Sequence, residues 1–211
     1  MGIVTNRRRV MGGKPLPYDA EVEYLRSSGT QWIDTQLKAA TYTYIYDGVI
    51  RDNPNEVVFG ADSSKALGLW GGQLHVGCCY GKKYYSTTNS PITGLPDQRN
   101  HVILTSSSIN VNGVVTNYGG NYFIDTTNSI CLFSDKEGSY KFSGKIYSFQ
   151  IVDAGVILLD FIPVRVGQVG YMYDKVSGKL FGNAGTGEFV LGPDVNSVNV
   201  ITPNQQRQMY E

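Results

Sequence analysis

GKIYSFQIVDAGVILLDFIPV, from Gly144 to Val164, is the longest apolar segment of the chain. A helix here would have to run through Gly155 and Pro163, and both interrupt helical structure. Tyr147, Phe149 and Ile151 alternate instead with Ser148 and Gln150, the two-residue period of a half-buried strand. Asp153-Ala154-Gly155 is turn chemistry, and the apolar run resumes from Val156 to Ile162. The segment reads as two core strands joined by a tight turn. Pro163 removes a ladder donor and is expected to stop or edge the second strand.

Short strand signals recur on both sides of this pair. Val22 and Tyr24 suggest one strand, Ser27-Ser28-Gly29 a turn, and Gln31 to Thr35 a second strand. Tyr42, Tyr44 and Tyr46 share one face of the next, and a core reading is preferred to an outward stacking surface. Val57 to Gly60 follows the loop Asp52-Asn53-Pro54-Asn55. Leu67 to Trp70 and Gln73 to Tyr80 flank Gly71-Gly72, which reads as a two-residue hairpin turn. Lys82 to Thr88 would place Tyr84 and Tyr85 on opposite faces. Further strands are expected at His101 to Ser106, Ser129 to Phe133 and Phe189 to Leu191. Asn112-Gly113, within Ile109 to Val115, signals a type I′ hairpin. Gly170 to Tyr173 and Lys179 to Phe181 flank a turn ending at Gly178. At least a dozen short strands, roughly one per 8 to 12 residues, indicate a sandwich or jelly roll.

Composition bounds the rest. A chain of 211 residues and 23.2 kDa can bury one core without covalent staples. Eighteen basic residues balance eighteen acidic ones, so net charge selects no partner. Cys78, Cys79 and Cys131 form no disulfide framework; an odd count with an adjacent pair suits free thiols in a reducing compartment. His75 and His101 stand alone and lack zinc-site spacing. The opening MGIVTNRRRVMGGK has no apolar h-region, and no run approaches the roughly 18 apolar residues of a membrane span. No signal peptide, no membrane and assembly in a cytoplasm are therefore expected. Residues 1 to 17 read as a basic arm, with Arg7, Arg8, Arg9 and Lys14 and with Pro15 and Pro17 at the join. Such an arm is either a solvated tail or an anchor docking on an acidic protein surface or on phosphates.

Three blocks carry a resemblance. YLRSSGTQWIDT (Tyr24 to Thr35), SGKIYSFQIVDAGVILLDFIPV (Ser143 to Val164) and GYMYDKVSGKLFGNAGTGEF (Gly170 to Phe189) occur in this order. They resemble laminin-G-like, concanavalin-A-like jelly-roll modules encoded by gut Bacteroidales bacteria and their tailed (crAss-like) phages. The resemblance covers about residues 18 to 192 and implies an all-β fold, a two-sheet antiparallel jelly-roll sandwich. The arm precedes it, and a polar tail from 193 to 211 follows. NRRRVMGGKPLPYDAEVEYL is similar to the start of such phage proteins. The resemblance does not decide function; the arginine-rich arm, the free cysteines and the missing signal peptide favour a structural virion component, a head decoration or fibre-type protein held by its arm on capsid or other virion proteins. A homo-oligomer fits the same reading; nucleic acid is a poorer partner.

Enzymatic chemistry finds no support in the motifs. Glycosidases of concanavalin-A-like fold resemble one another in an E-x-D-x-x-E strand, which this chain lacks; Glu21 and Glu23 are two apart without a third acid. G-x-S-x-G is missing, and Gly185-Thr186-Gly187 lacks the Lys-Ser/Thr of a phosphate loop and reads as a turn. No catalytic residue and no cofactor are expected. Asp125, Asp135 and Asp153 lie in turns without the alternating ligands of a calcium loop. The alternative function is a lectin-like module for host-surface glycans, with Trp70, Tyr84, Tyr85 and Tyr118 as contact candidates and Trp32 assigned to the core. Trp70, beside Gly71-Gly72, is the ring expected to be exposed.

Overall fold

The computed structural model describes residues 15–51, 56–62, 67–72, 75–80, 83–86, 97–124, 126–135 and 138–195. The first strands are β1 (Ala20–Glu21), β2 (Leu25–Arg26), β3 (Ile33–Lys38), β4 (Thr43–Val49), β5 (Val57–Asp62) and β6 (Leu67–Gly72). There follow β7 (His75–Tyr80), β8 (Lys83–Ser86), β9 (Arg99–Leu104), β10 (Ser108–Val111), β11 (Val114–Asn117) and β12 (Ser129–Leu132). The last are β13 (Lys145–Asp153), β14 (Val156–Val166), β15 (Val169–Asp174), β16 (Lys179–Phe181) and β17 (Val190–Leu191). No helix occurs among the described residues.

An 11-stranded sheet runs β11-β10-β9-β4-β13-β14-β15-β16, with β1 on β14 and β2 joining β13 to β17. A 6-stranded sheet runs β3-β12-β5-β6-β7-β8. Both are antiparallel, and they pack as a sandwich around one core. Alternation along each strand supplies that core. Tyr44 and Tyr46 of β4, Phe149 and Ile151 of β13 and Phe161 of β14 point in from one sheet; Phe59, Leu69 and Leu132 belong to the other. Phe59 is the bridge: its ring lies 5.9 Å from Tyr44, 6.2 Å from Tyr46 and 5.0 Å from Phe149.

Tyr44 and Tyr46 are fully buried and Tyr42 packs half-buried against them, so the expected phenol face is core. Each buried hydroxyl has an acceptor, as burial demands. Tyr44 Oη donates to the Ala40 carbonyl at 2.7 Å, and Tyr46 Oη to the Lys145 carbonyl at 3.2 Å. Burial pushes both phenols well above the ordinary tyrosine range.

β13 and β14 form the hairpin foreseen at Gly144–Val164. Ala154 (φ 46°) and Gly155 (φ 85°) make the turn, and two central residues of positive φ match the right-handed twist of the strands. Asn112 (φ 53°) and Gly113 (φ 90°) do the same between β10 and β11.

Two expectations are corrected. Pro163 does not stop its strand, since β14 continues to Val166. β13 pairs with β14 only as far as Phe161, and β1 takes over that side from Val164. The Pro163 carbonyl faces β1, accepting the Val22 N–H at 3.0 Å. A strand residue's N–H and carbonyl share a side, so the missing donor falls where one neighbour gives way to the next. Gly71 and Gly72 are not a turn either: they are the last residues of β6, paired with Val76 and His75.

The resembling blocks dock on one another. Ala184 N–H donates to the Trp32 carbonyl at 2.8 Å and Thr186 N–H to the Thr30 carbonyl at 3.2 Å. Asn183 Oδ1 accepts from the N–H groups of Trp32 (3.2 Å) and Gly185 (2.8 Å). Gln31, 3 % exposed, accepts from the Ser27 hydroxyl and the Ser28 N–H, closing the SSGTQ turn. Gly185-Thr186-Gly187 is thus a docking turn.

Asp174 pins the turn between β15 and β16. Its side chain accepts the N–H groups of Asp160 (2.9 Å), Val176 (3.1 Å) and Ser177 (3.0 Å). Burial pushes the carboxyl up, but these donors outweigh it and hold it below its ordinary value. Asp174→Asn is therefore expected to cost about 2 kcal/mol at pH 7, the scale of hydrogen bonds to a charged group. A depressed carboxyl stabilises above its unfolded value and loses that contribution as pH falls through its folded value. Urea denaturation of both proteins from pH 7 to pH 3 should show the difference shrinking; a constant difference would contradict the assignment.

Candidate functional site

The expected anchor residues Arg7, Arg8, Arg9 and Lys14 lie outside the described residues. The structure does show how the chain enters the fold behind them. Pro15 and Pro17 are exposed, Leu16 is half-buried, and Tyr18 is buried with its ring edge-on to Tyr173 at 4.9 Å. Asp19 N–H donates to the Arg165 carbonyl at 2.9 Å, and Asp19 Oδ2 accepts the Gly167 N–H at 2.8 Å.

The segment that follows β17 is fixed beside this entrance. Arg165 Nε and Nη2 grip Asp194 at 2.8 and 2.7 Å, and Nη1 donates to the Gly167 carbonyl at 3.1 Å. Val195 N–H donates to the Glu21 carbonyl at 3.0 Å, and Glu23 N–H to that of Pro193 at 2.8 Å. Leu16, Tyr18, Asp19, Glu21, Arg165 and Asp194 line a cleft of about 230 Å³ at this corner. A bidentate guanidinium–carboxylate pair adds orientation as well as energy. Leu16, Tyr18 and Asp194 thereby share one cleft beside the β1–β14 pair.

The same sheet carries a second ordered array on its outer face. Lys145 Nζ sits 4.2 Å from the Tyr24 ring centroid, and Tyr24 meets Tyr147 edge-on at 5.5 Å. Arg99 lies 4.1 Å over Tyr147 and donates from Nε and Nη2 to Asp47 at 2.6 and 2.9 Å. Tyr147 is here because of a bulge. Ile146 pairs Gly48 and Ser148 pairs Asp47, so Tyr147 is extra, and its ring leaves the alternation with Phe149 and Ile151 that the sequence suggested.

Of the aromatic candidates for glycan contact, Trp70, Tyr84 and Tyr85 lie on β6 and β8, which flank β7 in the small sheet, and Tyr118 reaches Cys78 of β7. Trp70 is half-buried in β6, paired with Val57 and Gly77, rather than an exposed ring beside a turn. β8 carries Tyr84 and Tyr85 opposite Cys79 and Cys78, but their side chains lie outside the described residues. Tyr118 is a correction. It is 6 % exposed, packs edge-on against Tyr122 at 6.2 Å and sets its hydroxyl 3.6 Å from Cys78 Sγ, so its ring offers no free face. Trp32 packs half-buried on the core. Cys78 and Cys131 are buried and form no disulfide, and burial pushes the Cys78 thiol up to about 12. Asp135 is buried, Asp153 is exposed, and Asp125 lies outside the described residues. Among the described residues no three His, Cys, Asp or Glu side chains gather as metal ligands.

Sequence reasoning missed Arg165, Asp194 and Asp19 at the corner and the Tyr24–Tyr147–Arg99 array. Their members come from distant parts of the chain, and no spacing links them. Only the Pro15 and Pro17 punctuation marked the corner.

No family model and no curated protein matches this sequence. Among solved structures the chain is similar to the native heptameric SAP-like pentraxin from Limulus polyphemus, at 12 % identity, over 83 % of this chain and 96 % of that one, with a TM-score of 0.50. At that identity the likeness shows the fold alone: a two-sheet, antiparallel jelly-roll sandwich.

Proposed function

We propose that this protein is a non-enzymatic structural component of a tailed-phage particle, a decoration or fibre-type module attached through the arm that precedes Tyr18. The observation that carries the reading is the Arg165–Asp194 corner. Beside it Tyr18 packs on Tyr173 and Asp19 holds Gly167, which supports a rigid base of the kind a tether needs to hold its module in one orientation. The blocks resembling modules of gut Bacteroidales and their phages support the same reading, as does a sandwich of the kind used for binding. The arginines of the arm would contact carboxylates on a capsid or other virion subunit, where bidentate geometry favours Arg over Lys. Assembly in the host cytoplasm accords with buried thiols that form no disulfide.

Changing Arg7, Arg8 and Arg9 together to Ala is expected to yield particles lacking this protein, scored by mass spectrometry of purified particles. Normal occupancy would sink the anchor. A lectin-like role on host glycans is the second reading, supported by the half-exposed rings of Tyr24 and Tyr147 among charged side chains. A homo-oligomer is compatible with both.

A further inference from the structure

A groove at the end of the sandwich farthest from the Ala154–Gly155 turn belongs to neither the corner nor the aromatic candidates. It encloses about 460 Å³, within the range of small-ligand sites. Arg26 from β2, Arg51 following β4 and Lys145 opening β13 line it, together with Ser28, Ser143 and Asp97, the one acid among its described residues. β13 brings them together, since Lys145 pairs Arg26 on one side and Val49 on the other.

Two of the cations are held in place. Arg51 Nη1 donates to Ser143 Oγ at 3.0 Å, and Lys145 rests on the Tyr24 ring. The charges are not cancelled. Arg51 Nε stands 3.9 Å from Asp97, with both side chains more than half exposed (53 % and 72 %), a separation at which pairing contributes little. Arg26 and Lys145 have no carboxylate partner among the described residues. Glu56 takes the Ser143 N–H at 3.0 Å and does not line the groove. Among the described residues three cations therefore face one acid.

We infer that this groove binds an acidic saccharide, its carboxylate held by Arg26, Arg51 and Lys145 and its hydroxyls by Asp97 and Ser143. The mixed lining selects the class. A guanidinium fork matches a carboxylate bidentately, while the Asp97 carboxylate accepts the ring hydroxyls that a saccharide offers beside its acid group and an acidic peptide does not. Single-stranded nucleic acid is bound with aromatic platforms for its bases, and no aromatic ring lines this groove among its described residues.

The test titrates the full chain with tetragalacturonate, its methyl ester, tetraglutamate and a short oligothymidylate, by calorimetry. The free uronate is expected to bind, its ester at least about tenfold more weakly, and the peptide and oligonucleotide more weakly than the uronate. Arg26→Ala with Arg51→Ala should lose about tenfold or more at an unchanged melting temperature. If the double variant melts lower, Arg26→Ala alone carries the comparison, because that side chain is exposed. Equal binding of acid and ester overturns the inference. So does unaltered affinity in the variant, tighter binding of peptide or oligonucleotide, or no uronate binding. Particle occupancy and uronate affinity are separate readouts, so either proposal can fail without the other.

Discussion

Phe59→Ala is expected to destabilise the protein by about 3–5 kcal/mol, the range for emptying a buried aromatic site. Phe59 is fully buried in β5, the strand in which every position from Val57 to Asp62 is buried. It pairs Leu132 of β12 and Leu69 of β6 within its own sheet, and its ring spans to Tyr44, Tyr46 and Phe149 of the other. Removing it leaves three aromatic rings facing a void. The Tyr44 and Tyr46 hydroxyls are tied to the Ala40 and Lys145 carbonyls, so those rings cannot swing in to fill it without breaking a buried hydrogen bond. For a chain of this length each kcal/mol moves the melting temperature by about 2–4 °C, so a fall of about 10 °C follows. Urea denaturation supplies the free energy directly. Phe59→Leu, which keeps most of the volume, should cost about 1 kcal/mol. A loss below 1 kcal/mol for the alanine variant would mean that the two sheets do not depend on this contact.

What the sequence made legible is local, and where it misled, the cause lies between strands. Asp153-Ala154-Gly155 and Asn112-Gly113 declare turns through their own backbone preferences, and Tyr44, Tyr46, Phe149 and Ile151 declare a buried face by period two. Pro163 and Tyr147 depend on something that no short window contains: which strand lies alongside. Pro163 sits where β13 gives way to β1, and Tyr147 at a bulge against β4. Gly71-Gly72 has hairpin composition, yet the pairing with Val76 and His75 keeps both residues in the strand. The sites were less legible still. Arg165 and Asp194 are 29 residues apart, and Arg51 and Ser143 are 92 apart, so their convergence is a product of topology alone. Trp70 and Tyr118 were singled out by residue type, which does not reveal exposure; Tyr118 spends its ring on the core.

Gly185→Ala should remove about 3 kcal/mol or more, through a contact that seals the two ends of the fold together. A Cβ at this position would lie 2.1 Å from the Thr30 carbonyl oxygen and 2.9 Å from Trp32 Cδ1. The first is backbone, so it cannot rotate away as a side chain would. Relief requires Asn183–Gly187 to lift off Thr30–Trp32, which breaks the Ala184-to-Trp32 and Thr186-to-Thr30 hydrogen bonds and pulls Asn183 Oδ1 from the Trp32 N–H. Two or three such bonds at about 1 kcal/mol each, with overpacking strain added, give the magnitude. Thr30→Ala makes the contrast. It removes only an exposed bond from Thr30 Oγ1 to the Thr186 carbonyl at 3.0 Å and should cost no more than about 1 kcal/mol. The readout for this interface is Trp32, which packs half-buried on the core, followed in a Trp70→Phe background so that no second indole contributes. Its fluorescence should shift to the red in folded Gly185→Ala and stay put in Thr30→Ala. A glycine variant as stable as the parent would show that the turn is not seated on Thr30, and the docking of the two blocks would then have to be abandoned.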